Sequence, residues 1–309
     1  MLLPKKYQEF LPLREVFLDR LFRSRAIPGP LPDKIVPVGH RGTMTYAPEN
    51  TIAAHETAYQ MGARCIEFDV RCTQDGHFIV FHDHDADRTT SGCGNVENLT
   101  LAEIQKFDAG SYKGEAFKGE RVPTLRDALR NVKGRFAVDI DFKAGPKHSA
   151  EMLDEILEEE GFMNDGSPLV TIFARHNHFA LLRSLAPKHA LRPHYLGRRH
   201  ARKMVKEHEI EIMGLRRYVF SFAAARNIRA HGLHLFSNTM SDEEHNDYEI
   251  SYASAAKAGS LFIQTDFIDH LVQYLKSIDR LETRVLGRDY LPIEPTTPKT
   301  SGLDLPAGP

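Results

Sequence analysis

The sequence predicts a parallel α/β protein that is large enough to form a barrel. Strand-like and helix-like runs alternate along most of the chain, and this alternation is typical of parallel α/β folds. The early strand-like runs end in polar side chains, as expected where a ligand site forms at the carboxyl ends of parallel strands. The chain has 309 residues, which is enough for one barrel of about 250 residues.

Composition divides the chain into three predicted parts. Residues 1–34 contain an amphipathic helix at 5–25, followed by a linker in which three prolines forbid regular structure. Residues 35–290 are expected to form the barrel, with an insertion at about 84–121. The proline- and glycine-rich segment 291–309 is predicted to be a flexible tail.

The elements of the predicted barrel follow from short apolar runs and from capping and turn residues. The predicted strands are 35–39, 65–70, 77–81, 135–142, 169–174, 189–195, 213–219, 232–236 and 261–265. The predicted helices are 50–62, 100–107, 123–132, 148–160, 177–186, 198–211, 221–230, 242–257 and 267–276. Pro123 lies near the start of its helix, where its fixed φ is favourable. Thr73 to Gly76 form a turn signal before the strand at 77–81.

Charge and hydropathy favour some protein classes over others. A net charge of −2 gives no reason to expect a nucleic-acid partner. The chain has neither an apolar run of membrane-spanning length nor a signal-peptide core, and we expect a cytoplasmic protein. The helix at 5–25 is interpreted as a cap on the barrel rather than as a membrane-contacting helix. Cys65, Cys72 and Cys93 lack metal-site spacing and are predicted to be free thiols. The sequence gives no indication of oligomeric state.

Glu67 and Asp69 are the first candidates for a functional site. They are two residues apart in a strand and therefore point to the same side. Two solvated acids on a surface strand would explain them, but the flanking Ile66 and Phe68 favour a buried strand, where unpaired acids are costly. A hard divalent cation, Mg²⁺ or Ca²⁺, would relieve their repulsion.

His40 and His82 each follow a strand-like run near this acid pair. A single histidine at a strand end is usually a structural hydrogen-bonding group. Two of them beside a metal-type acid pair indicate a general acid and a general base, because imidazole changes charge near neutral pH.

A series of motifs resembles the glycerophosphodiester phosphodiesterase family from about residue 35 to residue 276. In chain order they read H-R-G, P-E-N-T, I-E-F-D-V, V-F-H-D, D-R-T-T-S-G-C-G, L-T-L-A-E-I, D-A-G-S and V-P-T-L-R-D-A-L. The resemblance implies a (β/α)8 TIM barrel with an insertion that covers the site. The predicted N-terminal helix would be an extra element outside this barrel. The chain has one strand-like run more than the eight barrel strands, so either 77–81 or 213–219 is expected to be a hairpin arm or a loop.

The resemblance also implies one divalent cation held by three carboxylates. Glu67 and Asp69 match the first two ligands. Asp141 occupies the position of the third, where the family usually has glutamate in an E-x-K motif, and Asp139 is an alternative ligand on the same strand. Lys143 matches the lysine that faces the phosphate.

The remaining site residues are carried over from the same motifs. His40 and His82 match the catalytic pair, and Arg41 matches the phosphate-binding arginine. Glu49 and Asn50 match residues that line or brace the site.

The implied reaction is hydrolysis of a glycerophosphodiester to glycerol 3-phosphate and an alcohol. A small headgroup such as choline or ethanolamine is the expected leaving group, and a lysophospholipid is the alternative substrate. The chain has no tryptophan, and Phe236 is the nearest candidate for the aromatic residue that family members often carry near the site.

Two other functions remain possible from the sequence. The H-x-H formed by His82 and His84, with His176, His178 and His194 further along, is typical of an amidohydrolase-like metal hydrolase. However, that class places its H-x-H after the first strand, where this chain has H-R-G. The second possibility is a non-catalytic barrel that binds a phosphorylated ligand, and only the Asp141 substitution favours it.

Overall fold

The structure is a computed structural model, and it describes residues 27–143, 149–164, 166–174, 179, 182–183, 189–216, 220–240 and 248–291. The predicted helix at 5–25 and the tail after residue 291 lie outside these residues, as do His176 and His178. Most of the predicted helix at 177–186 also lies outside them.

The sheet is a nearly closed barrel in which eight of the nine described strands run parallel. The strands are β1 (Val36–Gly39), β2 (Cys65–Cys72), β3 (Phe78–Val80), β4 (Ala137–Phe142), β5 (Val170–Ala174), β6 (Ala190–Leu191), β7 (Ile212–Arg216), β8 (His234–Asn238) and β9 (Ser260–Thr265). Their order is β6-β5-β4-β2-β1-β9-β8-β7. A parallel bridge between His194 and Gly214 joins the two ends of this order.

The surplus strand-like run is the hairpin arm. β3 pairs antiparallel with β2, with Val80 opposite Val70. The run predicted at 213–219 is instead the barrel strand β7, which pairs parallel with β8. Of the two alternatives left by the sequence, the first is therefore confirmed. The hairpin matters for the site because it carries His82 back to the rim of the barrel.

Helices follow most of the described strands and cover the outside of the barrel. They are α1 (Ile52–Met61), α2 (Leu101–Ile104), α3 (Leu125–Val132), α4 (Ser149–Glu159), α5 (Arg198–His208), α6 (Phe222–Ala230), α7 (Tyr248–Lys257) and α8 (Ile268–Ser277). Thr124 and Asp127 form a reciprocal capping box that fixes the start of α3. The predicted helix at 198–211 ends earlier, because Glu209 has a φ of 45° and lies in the left-handed region. None of the described helices is both long and apolar enough to span a bilayer.

Side-chain alternation divides each strand between the barrel interior and the layer under the helices. On β2, Ile66 and Phe68 belong to the large cluster beneath the helices, whereas Cys65 belongs to the small cluster inside the barrel. Full burial of a side chain such as Phe68 contributes roughly 1.5–3 kcal/mol. The same alternation turns Glu67 and Asp69 into the barrel.

Phe236 is part of the interior cluster and does not reach the site surface. Its side chain is fully buried and stacks on Phe262, with ring centroids 5.6 Å apart. The interpretation of Phe236 as a headgroup-contacting aromatic is therefore wrong. β8 turns this residue toward the floor of the barrel, where it completes the packing.

His55 on α1 is a fully buried histidine outside the candidate site. Its ring lies 5.8 Å from the ring of Phe68. Burial disfavours the charged imidazolium and lowers the pKa of His55 to about 4, although the neighbouring Asn131 side chain acts in the opposite direction. In the folded protein this histidine is therefore neutral at neutral pH.

We expect His55 to make the protein less stable in mild acid. Its folded-state pKa of about 4 lies below the unfolded value of 6.5, so the unfolded chain binds the proton more readily between these values. Folding free energy is therefore lost as pH falls through 6.5 toward 4, by about 2 kcal/mol between about pH 7.5 and 5. Urea unfolding at these two pH values should show that His55→Gln lacks this loss.

The matched control is His77→Gln, which removes an exposed histidine from the turn before β3. It should keep the full pH dependence of the unaltered protein. Equal pH dependence in the unaltered protein and in His55→Gln would contradict the assignment.

Candidate active site

The polar residues singled out in the sequence converge at the carboxyl ends of β1, β2 and β4. The parallel register places Asp69 beside Asp141 and Glu67 beside Asp139. His40 follows β1 directly. Because these strands are neighbours and run parallel, residues far apart in sequence meet at one rim of the barrel.

Glu67, Asp69 and Asp141 form a group that fits a divalent cation. One carboxylate oxygen from each residue lies within 4.8 Å of the others. The Lys143 ammonium lies 2.8 Å from Asp69 Oδ1 and 2.5 Å from Asp141 Oδ2. These two carboxylates therefore point toward a common position that holds a positive charge. An all-oxygen ligand set of this kind suits Mg²⁺ or Ca²⁺.

The pKa values of these acids reflect burial and mutual repulsion. Burial raises the pKa of Glu67, and the neighbouring Asp69 carboxylate raises it further. Burial alone would raise the pKa of Asp69 as well, but Lys143 and Arg41 outweigh burial and lower it. Burial is also the main cause of the raised pKa of Asp141. A bound cation would relieve the burial cost and the mutual repulsion that raise the pKa values of Glu67 and Asp141.

Asp139 is engaged elsewhere and is not positioned as an alternative ligand. Its carboxylate is fully buried and accepts hydrogen bonds from Arg192 Nε at 2.8 Å and Arg192 Nη2 at 2.6 Å. Thr171 Oγ1 donates to the same carboxylate. The structure therefore favours Asp141 over Asp139 as the third carboxylate, despite its shorter side chain.

His40 is held by a carboxylate that the sequence analysis did not assign. Its Nδ1 lies 2.6 Å from Asp266 Oδ1, and its Nε2 lies 3.9 Å from Glu67 Oε2. Burial lowers the pKa of His40, but the hydrogen bond to Asp266 and the charges of Asp266 and Glu67 raise it by more. The signal for Asp266 was available, since this acid directly follows the last barrel strand.

His82 has a similar carboxylate support but a more open position. Its Nδ1 lies 2.6 Å from Asp83 Oδ1, and 34% of its side chain is exposed. Burial lowers the pKa of His82, and the positive charges of Arg41 and Lys143 act in the same direction, against Asp69. Both histidines therefore have Nδ1 bound to an aspartate, which leaves Nε2 for proton transfer.

Arg41, Glu49 and Asn50 form a connected turn above the acids. Arg41 and Asn50 have φ values of 49° and 58°, which are uncommon for residues other than glycine. Arg41 Nη1 donates to Glu49 Oε1 at 2.8 Å, and its Nε lies 3.4 Å from Asp69 Oδ2. Asn50 Nδ2 donates to Asp69 Oδ2 at 2.9 Å. Glu49 and Asn50 thus brace Arg41 and Asp69.

Arg88, in the insertion, links the two histidine-bearing parts of the site. Its Nη1 and Nη2 donate to the two oxygens of Glu49, each at 2.8 Å. Its Nε donates to Asp83 Oδ2 at 2.6 Å. The sequence analysis did not assign Arg88 to the site, because its contact with Glu49 forms only when the insertion folds back over the Arg41 turn.

The structure does not support the amidohydrolase-like alternative. His84 is turned away from the acids toward Arg71, with Nδ1 3.2 Å from Arg71 Nη1. His194 lies inside the barrel against Phe173, with ring centroids 4.3 Å apart. Within the described ranges, the carboxylate group of Glu67, Asp69 and Asp141 is the one set of three potential metal ligands.

Comparisons with known proteins agree on one family. A sequence model of the glycerophosphoryl diester phosphodiesterase family matches residues 40–270. A glycerophosphodiester phosphodiesterase from Caldanaerobacter subterraneus subsp. tengcongensis is 48% identical over 113 residues, which are 36% of this chain and 46% of that protein. The chain thus matches less than half the length of this curated relative.

Two solved structures share the fold over most of the chain. A glycerophosphodiester phosphodiesterase from Agrobacterium tumefaciens str. C58 is 28% identical, with a TM-score of 0.66 over 77% of this chain and 98% of that one. An Oleispira antarctica phosphodiesterase, in complex with the product sn-glycerol-3-phosphate, is 23% identical, with a TM-score of 0.70 over 80% and 97% of the two chains. The second likeness concerns the fold alone.

We expect Gly42→Ala to destabilise the turn that carries Arg41. Gly42 has a φ of 85°, and an added Cβ would lie 2.6 Å from Ala54 Cβ and 2.9 Å from the Ala54 carbonyl carbon. The left-handed backbone and the clash on α1 together should lower the free energy of unfolding by roughly 3 kcal/mol or more. Urea unfolding measures this loss.

Gly76→Ala is the matched control, because Gly76 has a φ of 82° but an added Cβ there would meet nothing within 4 Å. It should cost only about 1–2 kcal/mol, the backbone contribution alone. Similar losses in the two variants would contradict the close contact between Gly42 and α1.

Proposed function

Because the chain belongs to the glycerophosphoryl diester phosphodiesterase family, we propose that it hydrolyses a glycerophosphodiester to glycerol 3-phosphate and an alcohol. The observation that carries this proposal is the convergence of unlike groups at one rim of the barrel. Two aspartate-supported histidines, two cationic side chains and three carboxylates meet there. A phosphodiester requires these groups, because its cleavage needs charge neutralisation and two proton transfers.

Glu67, Asp69 and Asp141 are proposed to hold one divalent cation, Mg²⁺ or Ca²⁺. Their convergence within 4.8 Å supports this role. When bound, such an ion supplies Lewis-acid stabilisation to a phosphate oxygen. Asn50 Nδ2 and Arg41 Nε lie 2.9 Å and 3.4 Å from Asp69 Oδ2. These two polar contacts orient the Asp69 carboxylate for a cation.

Arg41 and Lys143 are proposed to bind the remaining charge of the phosphate. Both side chains lie next to Asp69 and are largely shielded from solvent. The planar guanidinium of Arg41 can donate two parallel hydrogen bonds to phosphate oxygens, whereas Lys143 acts as a compact charge. Glu49 fixes the direction of Arg41, so the guanidinium does not have to be ordered by the substrate.

His40 and His82 are proposed to move the protons. One Nε2 takes the proton from the neighbouring glycerol hydroxyl as that oxygen forms a new P–O bond, which gives a cyclic phosphate that water then opens to glycerol 3-phosphate. The other Nε2 gives a proton to the departing alkoxide as the old P–O bond breaks. Asp266 and Asp83 accept the Nδ1 protons and so fix both tautomers. Each transfer is expected to accelerate the reaction by roughly 10²- to 10⁴-fold.

A small headgroup is the proposed leaving group, with choline as the first candidate. Phe236 is buried and does not contact it, but Tyr112 in the insertion exposes 42% of its surface at the rim. The Tyr112 hydroxyl accepts a hydrogen bond from the Glu49 backbone N–H at 2.9 Å, which holds the ring above the Arg41 turn. An exposed aromatic face of this kind attracts a quaternary ammonium group.

Metal-stripped protein should release no glycerol 3-phosphate from glycerophosphocholine, and Mg²⁺ or Ca²⁺ should restore the release. The reason is that the three carboxylates offer only oxygen ligands, which hard cations prefer. An enzymatic assay for glycerol 3-phosphate with Mg²⁺, Ca²⁺, Mn²⁺ and Zn²⁺ added in turn measures this effect. Asp141→Asn should weaken the response to the added ion.

Restoration by Zn²⁺ alone would argue against the carboxylate site. Full activity in the stripped protein would argue against any role for a cation. Activity on a lysophospholipid but not on glycerophosphocholine would keep the reaction class and change the substrate. No activity on either substrate would favour a barrel that only binds a phosphorylated ligand.

His40→Ala and His82→Ala should each lower kcat by roughly 10²- to 10⁴-fold, because each removes one proton transfer. Asp266→Asn should lower kcat by a smaller factor, about tenfold, because it disturbs only the tautomer and orientation of His40. Steady-state kinetics on glycerophosphocholine with the restoring cation measures all three.

His84→Ala is the matched control for these variants, since His84 lies on the same loop as His82 but contacts Arg71. Its kcat should stay within about twofold of the unaltered enzyme. Near-normal turnover in both His40→Ala and His82→Ala would refute the acid–base assignment.

A further inference from the structure

A cavity lies on the outside of the barrel, between α5 and α6. It has a volume of about 430 Å³ and is lined by Arg198, Arg199, Arg202, Asn227 and His231. α5 and α6 follow β6 and β7, which meet where the sheet closes, opposite the central strands β1 and β2 of the candidate active site. The cavity is therefore separate from the groups discussed above. We call it the arginine groove.

The three arginines of the groove carry positive charge without carboxylate partners. Among the described residues, none of Arg198, Arg199 and Arg202 forms an ion pair, whereas Lys203 on the same helix lies 3.7 Å from Glu207. All three arginines are exposed to the solvent. Guanidinium groups brought together in this way repel one another, so the groove concentrates a positive potential that an anion would relieve.

The wall of the groove on α6 adds hydrogen-bond donors. Asn227 is only 9% exposed, and its Oδ1 accepts a hydrogen bond from the Tyr195 hydroxyl at 3.3 Å. Its amide nitrogen has no hydrogen-bond partner in the described part of the chain, so it is available to a ligand. His231 is held by its Nδ1, which lies 2.7 Å from the Asn227 carbonyl oxygen.

The start of α5 also adds positive potential to the arginine groove. Gly197 at the N-cap provides no side-chain hydrogen bond to the first turn. The N–H groups of that turn and the helix dipole therefore add positive potential beside Arg198 and Arg199. The arginines, the free N–H groups of the first turn and the Asn227 amide N–H group thus all favour an anion.

We propose that the arginine groove is a binding site for a small molecule that carries a phosphomonoester dianion. Three guanidinium forks and an amide match the three terminal oxygens and double charge of a phosphomonoester, whereas one carboxylate would leave guanidinium donors unused. A cavity of about 430 Å³ has the size of a small-ligand site. This proposal does not depend on the proposed function of the active site.

Isothermal titration calorimetry of the full chain with glycerol 3-phosphate tests the site. Arg199→Gln combined with Arg202→Gln should weaken binding by at least about tenfold, because two charge-assisted contacts are lost. Lys203→Gln combined with Lys206→Gln removes the same charge from α5 without altering the groove lining, and binding should stay within about twofold. The active site is unchanged in all three proteins, so any binding there contributes equally to each.

A parallel arm separates a soluble ligand from a lipid headgroup with the same chemistry. Cosedimentation with vesicles containing phosphatidic acid presents the phosphomonoester on a membrane. Selective loss in the arginine double variant, in either arm, supports the site and identifies the source of the ligand. No binding in either arm, or equal losses in the two double variants, would overturn the proposal.

Discussion

The structure depends on burying negative charge inside a closed barrel. Parallel pairing of β2 with β4 brings Glu67, Asp69, Asp139 and Asp141 into one interior column. Such a column is stable only if cations enter the same space, because an uncompensated buried carboxylate is costly. Arg192 neutralises Asp139 within the barrel, and Lys143 lies between Asp69 and Asp141 at the rim. Asp139 is therefore neutralised within the barrel, whereas at the rim a cation would relieve the mutual repulsion of Glu67, Asp69 and Asp141.

The same constraint explains the support around the two histidines. An imidazole that transfers protons must keep a fixed tautomer, and Asp266 and Asp83 provide this for His40 and His82. These aspartates come from opposite sides of the site, one from the end of β9 and one from the hairpin after β3. Arg88 joins the hairpin to the Arg41 turn by donating three hydrogen bonds, one to Asp83 and two to Glu49. The rim is thus one connected polar network, in which a change at one member reaches the others.

The two proposed anion-binding regions differ in how their positive charge is balanced. At the rim, Arg41 and Lys143 are already paired with carboxylates. An anionic substrate therefore binds there only if its phosphate is placed so that it can compete with those carboxylates. In the arginine groove, three arginines line one cavity without ion pairs to carboxylates among the described residues. The first arrangement suits selective catalysis on a monoanionic diester, and the second suits retention of a more highly charged monoester.

The sequence by itself determined the strand and helix order and the chemistry of the central residues. Period-two alternation around Glu67 and Asp69 and polar residues after short apolar runs are local patterns, so they can be read without the fold. The pairing of Asp139 with Arg192, the support of His40 by Asp266 and the bridging role of Arg88 were decided by tertiary structure alone. Each depends on which side chains the fold brings together, and the parallel barrel joins residues as distant as His40 and Asp266, which are 226 positions apart. The burial of Phe236 has the same cause, since barrel closure decides which side chains form the floor.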